Sequence, residues 1–245
     1  MKVRAVSEDT YSRYNAPLPP PPAAGKLSVK GKGIGYMAKL RLVVLLSGSG
    51  TTLQNLIDII AAGELDASIE LVVGSREGLK GIERARAAGL RDVVLPRKGY
   101  VDVASFSRDL FNHVDAVSPD LICLAGWLCL LEIPEKYIGK MMNIHPSLLP
   151  SFSGKGMFGH HVHEAVLNHG CKVSGCTVHF VDNTYDNGPI IIQRPCPIMD
   201  NDTADTLAAR VFEQEKLAYP EAIRLFASGK LRVGGRRVHV GSRTS

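Results

Sequence analysis

The chain has 245 residues, 45% apolar and 22% charged, the profile of a globular protein with a sizeable core rather than a disordered or fibrous one. Its formal charge of +5 sits at the ends: residues 1–36 carry six Lys/Arg against Glu8 and Asp9, and residues 234–245 carry Arg236, Arg237 and Arg243, which leaves the body slightly acidic. That distribution argues against an extended nucleic-acid face, and the longest apolar run, residues 121–131, falls short of the roughly 18 residues of a membrane span.

Residues 1–36 hold Pro17, Pro19 to Pro22 and four glycines with no apolar period, and are expected to be a disordered extension, with Met37 opening the folded part. From Leu40 the pattern alternates. Residues 42–46 read as a strand buried on both faces, 53–62 as a helix, 69–73 as a strand and 81–88 as a helix. Between the first strand and helix lies Ser47-Gly48-Ser49-Gly50-Thr51-Thr52. Glycines there let a backbone approach an anion, and the free N–H groups of the helix start hold it; the same residues also suit a tight, well-capped turn with no ligand. Residues 92–95 predict a short strand, 103–117 an amphipathic helix and 121–125 a further buried strand. The alternation predicts an α/β fold, a doubly wound, mostly parallel sheet with helices on both faces, in which ligands sit beyond the carboxyl ends of the strands.

The next segment is Asn143-Ile144-His145-Pro146-Ser147-Leu148-Leu149-Pro150. In an extended chain Asn143 and His145 project to one side while Ile144 points to the core, and Pro146 biases His145 toward extended backbone. An amide donor beside an imidazole suits acyl transfer through a tetrahedral intermediate. The cluster His160-His161-Val162-His163 has no acidic ligand at useful spacing and is read as free of metal. Residues 173–181 and 190–196 read as a strand pair that makes the sheet mixed, and 203–227 as a long closing helix. Between the paired strands, Asp182-Asn183-Thr184-Tyr185-Asp186-Asn187-Gly188-Pro189 is rich in turn formers; a carboxylate there either reaches back to an imidazole or bonds its own backbone. The five cysteines form no CxxC pair and favour a reduced, cytoplasmic setting.

Taken together, Ser-Gly-x-Gly-Thr after the first strand, Leu124-Ala125-Gly126-Trp127, the Asn143 to Pro150 octapeptide, and His179-Phe180-Val181 leading to Asp186-x-Gly188-Pro189-Ile190 resemble the phosphoribosylglycinamide formyltransferase family. The likeness runs from about Leu40 to Val233 and implies a Rossmann-like formyltransferase domain over residues 37–233, followed by a basic tail over 234–245. It also implies transfer of the formyl group of 10-formyltetrahydrofolate to the amine of glycinamide ribonucleotide in de novo purine biosynthesis. By resemblance, Asn143, His145 and Asp186 match the catalytic trio, with Asp186 acting on His145 through a water. Gly50, Thr51 and Thr52 match the substrate phosphate loop, and Glu215 a carboxylate that holds the ribose. Leu128, Cys129, Leu130, Leu131, Val181 and Asn183 match the folate walls. Thr52 and Cys129 depart from the commonest bacterial pattern, which has Asn and Arg there, and the loop containing Lys155 is longer than in many relatives. The expected partners are the two small-molecule substrates alone, without metal, nucleic acid or membrane, in a monomer or homodimer. A non-catalytic nucleotide-binding module would explain the Gly-rich turn but not Asn143, His145 and Asp186 together.

Overall fold

The computed structural model describes residues 39–241; the extension over residues 1–36, residues 37 and 38, and residues 242–245 lie outside the described residues. In chain order the elements are β1 (Leu40–Leu46), α1 (Thr51–Ala61), β2 (Ala67–Gly74), α2 (Lys80–Ala87), β3 (Asp92–Val94), α3 (Val103–Asp115), β4 (Leu121–Leu124) and β5 (Met141–His145). The second half adds α4 (His160–Asn168), β6 (Val173–Phe180), β7 (Ile190–Pro197), α5 (Ala204–Ala227), β8 (Leu231–Gly234) and β9 (Arg237–Val240).

The strands form one sheet in the order β3-β2-β1-β4-β5-β6-β7-β9-β8. β1 pairs in parallel with β2 and β4, and β4 with β5, whereas β6 runs antiparallel to β5 and β7 antiparallel to β6. The expected mixed α/β sheet is therefore present, and its parallel half ends at β5, the strand that carries Asn143 and His145. β1 explains the two-sided core. Leu42, Val44 and Leu46 pack with residues of α1, α2, α4 and α5 on one face, while Val43 and Leu45 pack with Phe106, Leu110 and Val114 of α3 on the other. Alternation with period two places successive residues on opposite faces, and covering both faces makes every residue of that run apolar.

Helix ends follow local chemistry. Asp102 caps α3 by accepting from the Ser105 N–H at 2.7 Å, and Thr203 and Thr206 form a reciprocal capping box at the start of α5. α5 contains Pro220, which cannot donate to the carbonyl of Lys216 four residues earlier. The side-chain amide of Asn55 in α1 donates to that carbonyl instead, at 3.3 Å, so the residue that breaks the helical ladder also ties two helices together. Tyr219, beside it, is fully buried, with its hydroxyl 3.0 Å from the Leu124 carbonyl and 2.9 Å from the Met142 carbonyl.

One sequence expectation changes at the C-terminal end. Residues 237–240 of the basic tail form strand β9, which turns back on β8 and joins β7 through the pair Ile190 and Arg237. Leu231 and Val238 pack against the core and hold this hairpin, while its arginines and His239 face outward. Two four-residue strands with mostly charged or small outward residues carry too little apolar alternation to be read as strands.

Candidate active site

Three parallel strands end at one rim. β1 leads into residues 47–52, β4 into 125–128 and β5 into 143–146; with the loop of residues 154–159 and one side of α5 they enclose a cavity of about 760 Å³. Its position beyond the carboxyl ends of the strands is where a doubly wound sheet binds ligands.

At one end of the cavity stands the N-terminus of α1. Gly50 is left-handed at φ 71°, no side chain caps the helix, and its first turn has no acidic residue, so its leading N–H groups face the cavity as donors. A Cβ on Gly50 would lie 2.5 Å from the Cα of Gly81, which leaves room for glycine alone. Thr51 and Thr52 line the same cavity. Ser47 couples this loop to the opposite wall, because its hydroxyl accepts from the Leu128 N–H at 3.0 Å and from the Ser75 hydroxyl at 2.7 Å.

Asn143, His145 and Asp186 come together across two elements. Asp186, held at φ 50°, places Oδ1 3.5 Å from His145 Nδ1 and 3.4 Å from Asn143 Nδ2, while Oδ2 accepts from the Gly154 N–H at 3.0 Å. At 3.5 Å the His145 and Asp186 groups are within ion-pair distance of each other. His145 Nε2 lies 2.8 Å from the Phe152 carbonyl, which can only accept, so Nε2 carries a proton and Nδ1 faces the carboxylate. Both side chains are nearly buried, at 4% and 13% exposure, which strengthens their attraction. His179 orients the third member. Its Nδ1 donates to the Phe180 carbonyl at 2.8 Å, leaving the Nε2 lone pair to accept from Asn143 Nδ2 at 3.1 Å. Burial lowers the His179 pKa and keeps the ring neutral, as that acceptor role requires.

A second, smaller cavity of about 50 Å³ lies beside the first and is lined by Cys129, Leu130, Leu131 and Val181, with Tyr185 and His179. Leu128 lines the larger cavity instead. Asn143 and Asp186 line both. Asn183 lines neither cavity: its carboxamide oxygen accepts from the Ile133 N–H at 2.9 Å, which braces the wall. Cys129 is a poor nucleophile, since burial raises the pKa of its thiol. Glu215, on α5, faces the larger cavity, and loss of hydration pushes its carboxyl from 4.5 up to about 7.

The histidine cluster disperses. His160 Nε2 contacts Asp205 at 2.6 Å and His161 Nδ1 contacts Glu164 at 3.5 Å, both at the surface, whereas His163 is buried on the cavity side with its pKa pushed down to about 4 by desolvation. Sequence reasoning missed the Phe152 carbonyl and the Gly154 N–H. Both are backbone groups, and only the folded loop brings them to His145 and Asp186.

A family model described as formyl transferase matches residues 40–223, and the chain belongs to that formyl transferase family. Several similar proteins carry names tied to purine synthesis or to formyl transfer. The phosphoribosylglycinamide formyltransferase of Escherichia coli strain K12 is 35% identical over 196 residues, covering 79% of this chain and 90% of that protein. The trifunctional purine biosynthetic protein adenosine-3 of Gallus gallus is 41% identical over 198 residues, 80% of this chain, and the chain spans 19% of its length. The crystal structure of glycinamide ribonucleotide transformylase 1 from Symbiobacterium toebii matches with a TM-score of 0.80 and 38% identity, covering 87% of this chain and 100% of that one. Among the described residues, no helix is long and apolar enough to cross a membrane.

Proposed function

We propose that this chain transfers the formyl group of 10-formyltetrahydrofolate to the primary amine of glycinamide ribonucleotide in de novo purine biosynthesis. The observation that carries this reading is the position of Asn143 and Asp186, which line both cavities: a group that must act on two substrates at once belongs where their sites meet. In this reading the larger cavity takes the ribonucleotide, its phosphate against Gly50, Thr51 and Thr52 and its ribose hydroxyls on Glu215. The pteridine sits against Cys129, Leu130, Leu131 and Val181, with Leu128 at the border.

The amine attacks the formyl carbon, and the carbonyl oxygen becomes an oxyanion. Asn143 offers an N–H to it, exchanging its long 3.4 Å contact with Asp186 for a stronger bond. In this reading protonated His145, held with Nε2 on the Phe152 carbonyl, stabilises the oxyanion by its charge. When the tetrahedral intermediate collapses, the bond from carbon to the folate nitrogen breaks, that nitrogen takes up a proton and the attacking amine loses one. In this reading the pair of His145 and Asp186 relays the proton between them. Each residue invoked comes from one chain, which suits a monomer or a homodimer, and five free cysteines suit the cytoplasm.

The test is a spectroscopic assay of the purified protein with 10-formyltetrahydrofolate and glycinamide ribonucleotide. Formylated ribonucleotide should form in step with tetrahydrofolate. Release of formate at the same rate without the ribonucleotide would make water the acceptor and overturn the assignment.

A further inference from the structure

The loop that carries Asp186 is held from outside the site. Asp182 accepts from the Thr184 N–H at 2.8 Å and from Asn187 Nδ2 at 3.1 Å, which closes the turn on itself. Gly188 fixes one end, because a Cβ there would lie 1.8 Å from the Phe180 carbonyl oxygen. The remaining acceptors of Asn187, next in the chain to Asp186, are both engaged by a single side chain: Arg236 donates from Nη2 to the Asn187 carbonyl at 2.9 Å and from Nη1 to its Oδ1 at 3.3 Å. Arg236 sits in the turn between β8 and β9. The hairpin is itself anchored, through Leu231 and Val238 in the core and through the pairing of Arg237 with Ile190 just beyond the loop.

We infer that Arg236 is a positioning residue for the reaction, and that the C-terminal hairpin serves to hold the Asp186 loop in its reactive geometry. This goes beyond formyl transfer itself but rests on that reading for its kinetic arm. Asp186 sits at φ 50°, in the left-handed region that aspartate tolerates in turns, and the contacts around its loop hold it there. Its two oxygens must reach His145, Asn143 and the Gly154 N–H together, so a small rotation of the peptide that follows moves all three contacts. A planar guanidinium gripping both acceptors of Asn187 resists that rotation better than a single ammonium would. Arg236 itself lies beyond the 40–223 match to the family, in the segment read from sequence as a tail.

The test compares Arg236→Ala, Arg236→Lys, Asp186→Asn and the double variant of Arg236→Ala with Asp186→Asn. Loosening a reacting group by a fraction of an ångström lowers turnover by about tenfold. Arg236→Ala should therefore lose about tenfold in kcat with both Michaelis constants within twofold, and Arg236→Lys should recover part of it. In the Asp186→Asn background the same change should have no further effect on kcat. A kcat within twofold of wild type, or an equal loss in both backgrounds, overturns the inference. A second readout needs no substrate: hydrogen exchange at the Gly154 amide, which Asp186 protects, should speed up about tenfold in Arg236→Ala. Unchanged exchange there overturns the clamp even if formyl transfer is confirmed, and faster exchange sustains it even if the true acceptor is a different amine.

Discussion

Glu215→Gln should make the protein more stable and less able to bind its ribonucleotide, and the stability gain should depend on pH. The carboxyl titrates at about 7 in the folded chain and at 4.5 when ordinarily hydrated, and burial is the cause. Between those two values the folded state holds a proton that the unfolded chain has released, so stability falls as pH rises through the window and levels off above about 7. At 1.36 kcal/mol per pH unit, ionised Glu215 costs below about 1 kcal/mol at pH 5 and about 3 kcal/mol at pH 8. Glutamine keeps the shape and never ionises, so the variant should match wild type near pH 5. At pH 8 it should melt roughly 6 to 12 °C higher, given the roughly 2–4 °C per kcal/mol typical of a domain this size. The assay is a pair of thermal melts at each pH, with the Michaelis constant for glycinamide ribonucleotide measured at pH 8. That constant should rise about tenfold with little change in turnover, because the ribose is held alike in ground and transition states. A pH-independent difference in melting temperature would refute the buried-carboxylate argument, and a collapse of turnover at unchanged affinity would refute the ribose role.

Asp186→Asn and His145→Ala should each lower turnover by about 100-fold or more, and the double variant should lose far less than the product, because the two act as one unit; multiplicative losses in steady-state assays would separate them. Gly50→Ala combines a left-handed φ with a Cβ 2.5 Å from Gly81 Cα, so denaturant melts should show a loss of at least about 2 kcal/mol, together with weaker binding of the phosphorylated substrate than of folate. Asn55→Ala should cost about 1 kcal/mol in wild type and measurably less in a Pro220→Ala background, where the helix can satisfy the Lys216 carbonyl itself; equal losses in a double-mutant cycle would show that Asn55 does something else.

Where side-chain type and period decide the outcome, the sequence is readable. The all-apolar run of β1 announces a strand covered on both faces, and the alternation of Asn143, Ile144 and His145 announces two polar groups on one side of β5. The Gly-rich turn is readable as well, although Gly50 is required as much by the approach of Gly81 as by any ligand. What fails is whatever depends on a backbone group or on a distant partner. Asn183 has the chemistry of a pocket residue, but the nearby Ile133 N–H needs an acceptor and takes its oxygen. The helix over 203–227 is read correctly through Pro220, but the group that replaces the lost backbone donor, Asn55, lies 165 positions earlier in the chain and is not legible. The β8–β9 hairpin escapes notice because its hold on the protein comes from Leu231, Val238 and one guanidinium rather than from a run of apolar residues.

Tyr219 gives the two sides of the cavity different mechanical characters. It lies one turn after Glu215 on α5, and its hydroxyl rivets the helix to the Leu124 and Met142 carbonyls, at the ends of the strands that bear the site. Burial raises its pKa well above 10, so no physiological pH releases that rivet. The wall carrying Glu215 is therefore stiff, whereas the facing loop has left-handed glycines at 154, 156 and 159. Compounds altered where they meet α5 should be rejected outright, whereas those enlarged toward residues 154–159 should be tolerated, so inhibitor selectivity against this chain is best sought on the yielding side.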